Sequence, residues 1–307
     1  MTTAYITHPS CLLHEMGSGH PESPERLTAI GDRLIASGLD ALVTHVTAKP
    51  ASDDALARVH RRDYIEAVTQ ASPAHGHAWL DPDTALNPHS IAAARHAAGA
   101  VVQAVDLVMA GRCQNAFCAV RPPGHHAERA RAMGFCVFNS VAVGAAHALD
   151  MHGLERVAIV DFDVHHGNGT EDIFADDPRV LMVSTFQYPL YPYSGLDNPA
   201  PNMVNVPLPP GSGGRELRDA VRERWLPALE AHRPELILFS AGFDAHHEDP
   251  LANLSFTEDD FAWVTREMIA AARRCGHARI VSSLEGGYAL SALGRSAVAH
   301  LRELVIA

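Results

Sequence analysis

Residues 156–170 read RVAIVDFDVHHGNGT, and this stretch decides the fold class. Residues 157–160 are apolar at every position, as in a strand that is buried on both faces of a sheet. Asp161, Asp163 and His165 follow at alternate positions, so in a strand their side chains point to the same side. The stretch therefore predicts a buried strand whose far end carries two carboxylates and an imidazole.

These acidic groups need a compensating charge, because burying an unpaired carboxylate is costly. A divalent metal ion provides that charge, and Asp and His form a ligand set that zinc accepts. Glycines at positions 167 and 169 let the chain turn sharply after the strand. The residues alone thus indicate a metal site at the end of this strand.

Strand patterns and helical patterns alternate along the rest of the chain. Further strands are predicted at residues 5–8, 115–120, 179–185, 236–240 and 279–284. Helices are predicted at residues 24–37, 52–70, 91–110, 139–152, 215–232, 257–275 and 289–304, with segment 59–65 at the surface and a kink at Pro227. Short apolar strands that alternate with helices predict an α/β fold, in which a mostly parallel sheet carries helices on both faces. No linker interrupts the pattern, so residues 1–307 are predicted to form a single domain.

Residues 187–214 form the longest predicted connection, rich in Pro, Gly and Tyr. Loops of this length are usually functional or disordered. The tyrosines favour a packed loop that lines the site. The sequence leaves open whether this loop gates access.

The composition narrows the class of protein. The chain has 307 residues, 47% of them hydrophobic, and 24 Lys and Arg against 36 Asp and Glu give a formal charge of −12. An acidic surface disfavours nucleic acid as a partner and suits cationic substrates. The N-terminus lacks a signal-peptide pattern, and no uninterrupted apolar stretch reaches membrane-spanning length, so no membrane partner is expected. The five cysteines are odd in number and form no CxxC pair, which favours reduced thiols in a cytoplasmic protein.

Four predicted strands end in loops that carry reactive side chains. These are His125 with His126, the Asp161-Asp163-His165 group, Asp244, and Gly287 with Tyr288. In open α/β sheets, sites form outside the carboxyl ends of the strands. The four loops are therefore expected to meet at one edge of the sheet, although they are far apart in sequence.

Five motifs along the chain resemble those of one known family. They are RPPGHH (121–126), GFCVFN (134–139), DFDVHHGNGT (161–170), SAGFDAH (240–246) and LEGGY (284–288). In this order they resemble the histone deacetylase family of the arginase/deacetylase superfamily, in particular its bacterial class II-like amidohydrolases. The resemblance runs from His20 to Tyr288. It implies the arginase/deacetylase fold and a deacylase that hydrolyses, with zinc-activated water, the amide between a short acyl group and a primary amine such as lysine Nε.

The resemblance also implies which residues hold metal ions. Asp163, His165 and Asp244 are expected to bind one zinc ion per chain, leaving positions for water and a substrate carbonyl. A structural potassium ion is expected beside Asp161 and Ser184. The choice between zinc and iron in the cell stays open.

The same resemblance assigns the catalytic roles. His126 is expected to act as general base and then as general acid, with Asn168 as its hydrogen-bond partner. His125, oriented by Asp161, gives electrostatic support, and Tyr288 donates its hydroxyl to the developing oxyanion. Because a neutral partner raises the basicity of an imidazole less than a carboxylate does, the two histidines are expected to differ.

For the substrate, the resemblance implies a narrow tunnel that admits an acylated alkyl amine, either acetyl-lysine in a protein or peptide or a small acylated amine. Phe135 and Tyr191 are expected to form its walls, with Gly134 letting the backbone approach. Leu251 stands where relatives specialised for polyamines can carry Glu, which weakens the polyamine alternative. Asp81 is a further candidate at the rim.

Two readings of other classes remain as alternatives. A two-metal ureohydrolase needs additional bridging carboxylates, and Asn168 is a poor bridging ligand. A non-catalytic acyl-lysine binding protein predicts the loss of a catalytic side chain, and none is lost. Phe186 departs from the family, many of whose members carry His there, which leaves the tunnel lip uncertain. The oligomeric state and the physiological acyl length stay undetermined.

Overall fold

The computed structural model describes residues 2–197 and 199–307, which fold around one eight-stranded sheet. The strands are β1 (Thr3–Thr7), β2 (Val43–Thr47), β3 (Ala78–Asp81), β4 (Thr84–Leu86), β5 (Asn115–Cys118), β6 (Val157–Asp161), β7 (Val180–Gln187), β8 (Met203–Leu208), β9 (Leu236–Ala241) and β10 (Ile280–Leu284). The helices are α1 (Glu25–Ala36), α2 (Asp53–Leu56), α3 (Arg62–Gln70), α4 (Ser90–Met109), α5 (Ser140–His152), α6 (Asn168–Phe174), α7 (Gly214–Ala220), α8 (Leu226–His232), α9 (Glu258–Arg274) and α10 (Leu290–Ile306).

All neighbouring strands of the main sheet are parallel, in the order β2-β1-β5-β10-β9-β6-β7-β8. Strand β6, which contains the apolar run of residues 157–160, lies between β9 and β7 and is buried at every position. Helix α4 packs on α5, and α10 packs on α1 and α9. The predicted α/β fold with a mostly parallel sheet is confirmed, while the single domain over residues 1–307 stays a prediction.

The sequence analysis misses the two outermost strands. Strand β2 reads VTHVT and is at least partly exposed along its length. Strand β8 carries Pro207, which pairs with Phe186 of β7. Proline cannot donate to a strand ladder and is tolerated at a sheet edge. Neither edge strand has the apolar run of a central strand. The prediction of a single connection over residues 187–214 is therefore wrong, because β8 lies within it.

Two predicted helices are also wrong in detail. Residues 52–70 form two short helices, α2 and α3, with a break between them. The predicted helix at 215–232 contains a π-helical turn at Val221–Trp225. Pro227 lies in the first turn of the following helix α8, where the missing N–H of proline costs little.

The break between α2 and α3 carries His60, which is buried rather than at the surface as predicted. The ring packs against Phe138, with their centroids 5.6 Å apart. Its Nδ1 lies 2.9 Å from the carbonyl oxygen of Glu128, and its Nε2 accepts the N–H of Asn139 at 2.9 Å. Both ring nitrogens are therefore satisfied in the neutral form, and a second ring proton has no acceptor at Nε2.

This environment predicts an acid-labile contribution to stability. Burial lowers the pKa of His60 to about 4. Between that pH and the ordinary histidine pKa, the unfolded chain binds a proton at His60 that the folded chain excludes. The contribution of neutral His60 to the free energy of unfolding is therefore fully present above pH ~6.5, and roughly 3 kcal/mol of it is lost as the pH falls to ~4. We expect His60→Gln to flatten the pH dependence of Tm over this interval. The exposed His45→Gln variant is the control, and an unchanged slope in His60→Gln would refute the assignment.

One helix, α4, is long and apolar enough to span a membrane by length and composition. Arg95, His96, Gln103 and Asp106 interrupt the apolar residues of this helix, so the expectation of no uninterrupted apolar stretch is not contradicted. In addition, 56% of its most apolar window is buried inside the protein, where α4 packs on α5, β1 and β5. A core helix passes the same test of length and hydropathy, so we describe α4 as a core helix.

Candidate active site

Four adjacent strands, β5, β10, β9 and β6, end at one edge of the sheet. The loop after β5 carries His125 and His126, and the loop after β10 carries Tyr288. Asp244 follows β9, and residues 162–168 follow β6. Because parallel strands bring their carboxyl ends together, these loops form one cluster at the edge where sites occur in such sheets.

Asp163, His165 and Asp244 lie at the centre of this cluster, with one ligand atom of each within 4.8 Å of the others. His165 Nδ1 is 3.0 Å from Asp163 Oδ1 and 3.2 Å from Asp244 Oδ2. The N–H of Gly286 donates to Asp163 Oδ2 and that of Val164 to Asp244 Oδ1, both at 2.9 Å. The backbone thus fixes both carboxylates so that they face the same imidazole nitrogen.

This donor set fits a divalent metal ion such as zinc. Asp163 and Asp244 are no more than 1% exposed, and Asp244 Oδ2 has no hydrogen-bond partner among the described residues. Burial and the nearby charge of Asp163 raise the pKa of Asp244, because the two carboxylates repel each other. A bound cation removes this repulsion, and two oxygens with one imidazole nitrogen are ligands that zinc accepts.

His125 is held by a carboxylate. Its Nδ1 donates to Asp161 Oδ2 at 2.9 Å, while its Nε2 is 3.7 Å from Asp163 Oδ1. Burial lowers the pKa of this imidazole, but the charges of Asp163 and Asp161 outweigh burial and hold it well above its ordinary value. The two carboxylates therefore favour the protonated form of His125.

His126 is held by an amide instead. Asn168 Oδ1 lies 2.8 Å from His126 Nδ1, and the orientation of the amide is fixed because Asn168 Nδ2 donates to Glu128 Oε1 at 2.8 Å. His126 Nδ1 must therefore carry the proton, which leaves Nε2 with a free lone pair. Burial, with the charges of His125 and His165, holds the pKa of His126 well below its ordinary value. Of the two histidines, His126 is the one able to accept a proton.

A cavity of about 180 Å³ leads to this cluster. The Phe135 ring meets the Tyr288 ring edge to face at 5.9 Å, and the Tyr191 ring meets the His126 ring in the same way at 5.4 Å. All four residues that the sequence assigns to the tunnel lie in its lining, together with three from the reactive loops: Gly134, Phe135, Tyr191, Leu251, His126, His165 and Tyr288.

Two glycines are required here by close approach. A Cβ on Gly134, whose φ is +57°, would come within 2.4 Å of His126 Cδ2. A Cβ on Gly286 would come within 2.0 Å of Asp244 Oδ2. Gly134 therefore shapes the wall against the imidazole, and Gly286 lets the backbone approach the carboxylates of Asp163 and Asp244.

Tyr288 is held by two groups that the sequence analysis overlooked. Asp249 Oδ2 accepts the N–H of Tyr288 at 2.7 Å and that of Ala289 at 3.1 Å. The Arg26 guanidinium lies 5.0 Å from the centroid of the Tyr288 ring and donates to the carbonyl oxygen of Gly287 at 2.7 Å. Burial holds the pKa of Tyr288 well above its ordinary value, so its hydroxyl remains a hydrogen-bond donor.

Asp249 also supports the tunnel wall, because its Oδ1 accepts the N–H of Leu251 at 3.1 Å. In Asp249→Asn, one carboxylate oxygen becomes an NH₂ group that cannot accept these N–H bonds. We expect kcat to fall by roughly ten- to a hundredfold, the cost of misplacing a reacting group, while the metal content stays unchanged. Steady-state turnover and metal analysis on the same sample measure both.

Glu248→Gln is the matched control for this variant. Glu248 is the preceding residue, and its carboxylate pairs with Arg295 at 2.6 Å instead of with the Tyr288 loop. If the two variants retained equal turnover, Asp249 would have no part in positioning Tyr288.

At the rim of the cavity, Asp83 lies where the sequence led us to expect Asp81. Asp83 lines the cavity, and its Oδ1 accepts the N–H of Gly134 at 3.0 Å. The predicted Asp81 is outside the lining and lies 3.9 Å from Arg131. The two lie at the turn of the antiparallel β3–β4 hairpin. Phe186 is buried against His166, with ring centroids 4.8 Å apart, and does not line the tunnel.

Glu285 is a further group that sequence reasoning missed, although it lies within the LEGGY motif. Its Oε2 accepts the N–H of Gly124 at 2.6 Å and of His125 at 3.1 Å. Burial raises its pKa to about 7. Glu285 thus ties the loop after β10 to the loop after β5. Its only signal in the sequence is its place at the end of a buried strand.

Ser184 lies outside the cavity, on the neighbouring strand. The β6–β7 register pairs it directly with Asp161, and both residues are 1% exposed. Ser184 Oγ donates to Asn205 Oδ1 at 3.1 Å. The two residues predicted to hold potassium are therefore adjacent across the β6–β7 pair.

Comparison with known proteins gives a consistent family match. The model of the histone deacetylase domain matches residues 20–304. The histone deacetylase-like amidohydrolase of Pseudomonas aeruginosa is 38% identical over 98% of this chain and 86% of its own length.

Two further matches extend this similarity. The polyamine deacetylase HDAC10 of Homo sapiens is 38% identical over 99% of this chain, which spans 48% of that relative. The solved HDA15 HD domain superimposes with a TM-score of 0.93 at 34% identity, over 99% of this chain and 88% of the other. The similarity therefore extends over nearly the whole chain.

Proposed function

The chain belongs to the histone deacetylase family, and from that premise we propose that it is a zinc-dependent deacylase that hydrolyses the amide between an acetyl group and a primary amine such as lysine Nε. The coarser conclusion, a hydrolase of amide bonds, follows from the family. The observation that carries the finer proposal is the shared cavity of His126, Tyr288 and the ligand His165. A base, a hydroxyl donor and a metal centre around one narrow tunnel are the parts that amide hydrolysis needs.

His126 moves the proton in this proposal. With Nδ1–H held by Asn168, its Nε2 accepts a proton from the attacking water and then returns it to the nitrogen of the leaving amine. His125, whose protonated form the charges of Asp163 and Asp161 favour, stabilises the negative charge that develops on the substrate. The fixed amide of Asn168 prevents the tautomer in which Nε2 carries the proton before the reaction begins.

Tyr288 donates its hydroxyl to the oxygen of the substrate carbonyl as that oxygen becomes negative. Asp163, His165 and Asp244 would hold the zinc ion, which when bound polarises the carbonyl and lowers the pKa of water. Phe135 exposes an aromatic edge along the tunnel, which suits the methylene chain of a lysine or another alkyl amine.

We also propose a structural potassium ion beside Asp161 and Ser184, supported by their pairing across β6 and β7. A monovalent cation there would offset the buried charge of Asp161, whose pKa is raised by burial. The cytoplasm remains our proposed location, supported by five free cysteines in a chain without a CxxC pair.

A two-metal ureohydrolase is less well supported by the site. A second metal ion would need a bridging carboxylate near the first, and the amide oxygen of Asn168 already accepts the N–H of His126 Nδ1. Such an enzyme would also have no use for the His126–Asn168 pair or for Tyr288 above the tunnel. A non-catalytic acyl-lysine binding protein likewise gives no reason for a complete acid–base set.

A small acylated amine, such as an acetylated polyamine, is the second candidate substrate. Asp83 in the tunnel lining favours it, because a carboxylate there suits a second ammonium group. Leu251 in the same lining disfavours it, because an apolar side chain cannot pair with one. The named activity of the human relative gives this candidate further support.

A hydrolysis screen of the zinc-loaded protein tests the proposal. Acetyl-lysine peptides and longer acyl-lysine peptides would be compared with acetylated polyamines by kcat/KM, with Asp83→Asn in parallel. We expect acetyl-lysine to be hydrolysed and to be little affected by Asp83→Asn. A preference for polyamines that Asp83→Asn abolishes would move the assignment to the second candidate. Absence of turnover on every acylated amine would overturn both.

A further inference from the structure

A second group of possible metal ligands lies on the helices, away from the tunnel. His147 and His152 come from α5, and Asp106 comes from α4. One ligand atom of each lies within 4.8 Å of the others. Asp106 Oδ1 is 2.7 Å from His147 Nε2 and 2.8 Å from His152 Nε2. Two imidazoles thus converge on a single carboxylate oxygen.

The fold separates this group from the active site. The chain leaves β5 at the active-site edge of the sheet, returns through α5, and enters β6 at the opposite edge. Asn139, the N-cap of α5, accepts the N–H of Ala142 near the reactive loops, whereas His152 is the last residue of that helix. A helix of this length spans about 20 Å. The group therefore lies towards the edge of the sheet opposite to the tunnel.

The surroundings favour a bound cation and leave room for water. The Asp106 side chain is 52% exposed and that of His152 is 25% exposed, while His147 is almost buried. No arginine or lysine in the described part of the chain pairs with Asp106. The pKa of Asp106 is lowered, since the contacts with both histidines outweigh burial. A metal ion here would have protein ligands on one side and solvent on the other, so water could complete its coordination shell.

The group of His246, His247 and Glu248 provides a contrast. One ligand atom of each of these residues also lies within 4.8 Å of the others. However, the Arg295 guanidinium forms a salt bridge with the Glu248 carboxylate at 2.6 Å. A guanidinium at that distance competes with a metal ion for the carboxylate. The comparison singles out Asp106, His147 and His152 as the group with an uncontested carboxylate.

We propose that Asp106, His147 and His152 form a second site for a divalent transition-metal ion, of the class that includes Zn²⁺, Co²⁺ and Ni²⁺. Two imidazole nitrogens and a carboxylate oxygen suit these ions, and water completes the shell. The ion would bridge α4 and α5. Binding requires each Nε2 to give up its proton in favour of Nδ1, which is a change of tautomer in the neutral ring.

One contact limits the affinity of this site. His147 Nδ1 is buried and has no hydrogen-bond partner among the described residues. Metal-bound histidines usually donate this second N–H to an acceptor, and the lack of such an acceptor typically weakens binding by about 10–100-fold. The second site is therefore expected to bind zinc more weakly than the tunnel site does.

Titration of the zinc-loaded enzyme with additional Zn²⁺ tests the proposal, by calorimetry and by equilibrium dialysis. The wild type is expected to bind one further equivalent. His152→Gln and Asp106→Asn are expected to weaken this event by at least about tenfold. His45→Gln is the matched control, because His45 forms a surface pair with Asp40 at 2.9 Å without a third ligand, and the second event should persist in it.

Acetate release measured on the same samples separates this inference from the proposed function. Zn²⁺ binding that is absent in the wild type, or unchanged in both ligand variants, would overturn the second site whatever the turnover. A second event that both ligand variants weaken would support the site even if no acylated amine were hydrolysed. Circular dichroism of His152→Gln, whose side chain is at a helix end, verifies that the fold is intact.

Discussion

Replacing Tyr288 with phenylalanine is expected to lower kcat by about 10²–10³-fold, the usual cost of removing one oxyanion donor. The ring contacts remain, since the Phe135 ring and the Arg26 guanidinium meet the ring rather than the hydroxyl. The fold and the zinc content should therefore be unchanged. Acetate release under saturating substrate measures kcat, and metal analysis of the same sample excludes loss of zinc.

Tyr193→Phe is the control for this experiment. Tyr193 is 69% exposed and is absent from the tunnel lining, so the loss of its hydroxyl should leave kcat within error of the wild type. Near-normal turnover in Tyr288→Phe would mean that the hydroxyl does not stabilise the oxyanion. In that case His125 or the metal centre would have to supply the whole of that stabilisation.

Replacing Asp244 with alanine is expected to remove zinc from the tunnel site and to lower activity at least about 10³-fold, because several kcal/mol of charge stabilisation are lost with the metal. Asp244 supplies the only carboxylate oxygen of the three ligands that lacks a hydrogen-bond partner among the described residues. Removing it leaves a ligand pair, Asp163 and His165, which already contact each other at 3.0 Å.

Asp244→Asn keeps the shape of the side chain and the bond from the N–H of Val164, so it serves where the alanine variant folds poorly. Exposed Asp259→Ala on α9 is the control. Zinc retained at wild-type affinity in both Asp244 variants would show that Asp244 is not a ligand.

The residues at the centre of the site could be predicted from the sequence, whereas the residues that hold the surrounding loops in place could not. Asp163, His165 and Asp244 were identifiable because acidic side chains at the ends of apolar strands need a cation, and because their motifs resemble one family. The placement of Asn168 against His126 also followed from that resemblance. These predictions depend on local patterns and on the rule that parallel strands share an edge.

Asp249 and Asp83 could not be predicted in the same way. Asp249 lies in a loop after β9 and acts by accepting N–H bonds from residues 288 and 289, about 40 positions away. Asp83 enters the tunnel lining only because the short β3–β4 hairpin folds over the loop that carries Gly134. Both depend on tertiary contacts that leave no periodic signal in the chain.

The edge strands β2 and β8 could not be predicted for the same reason. Central strand β6 is buried throughout and reads as an apolar run, whereas β8 includes Asn205 and Pro207 and pairs on one side only. A continuous apolar run identifies a strand that is buried on both faces of the sheet. An edge strand is specified by its partner, which the sequence pattern does not reveal.

Zinc titration of the metal-free protein, followed by acetate release from an acetyl-lysine peptide, measures how many zinc ions the activity requires. A single zinc ion at Asp163, His165 and Asp244 predicts that activity rises linearly and saturates at one equivalent, before any weaker surface site fills. Full activity in the metal-free protein, or a rise that continues to two equivalents because both ions are needed, would contradict the one-zinc mechanism.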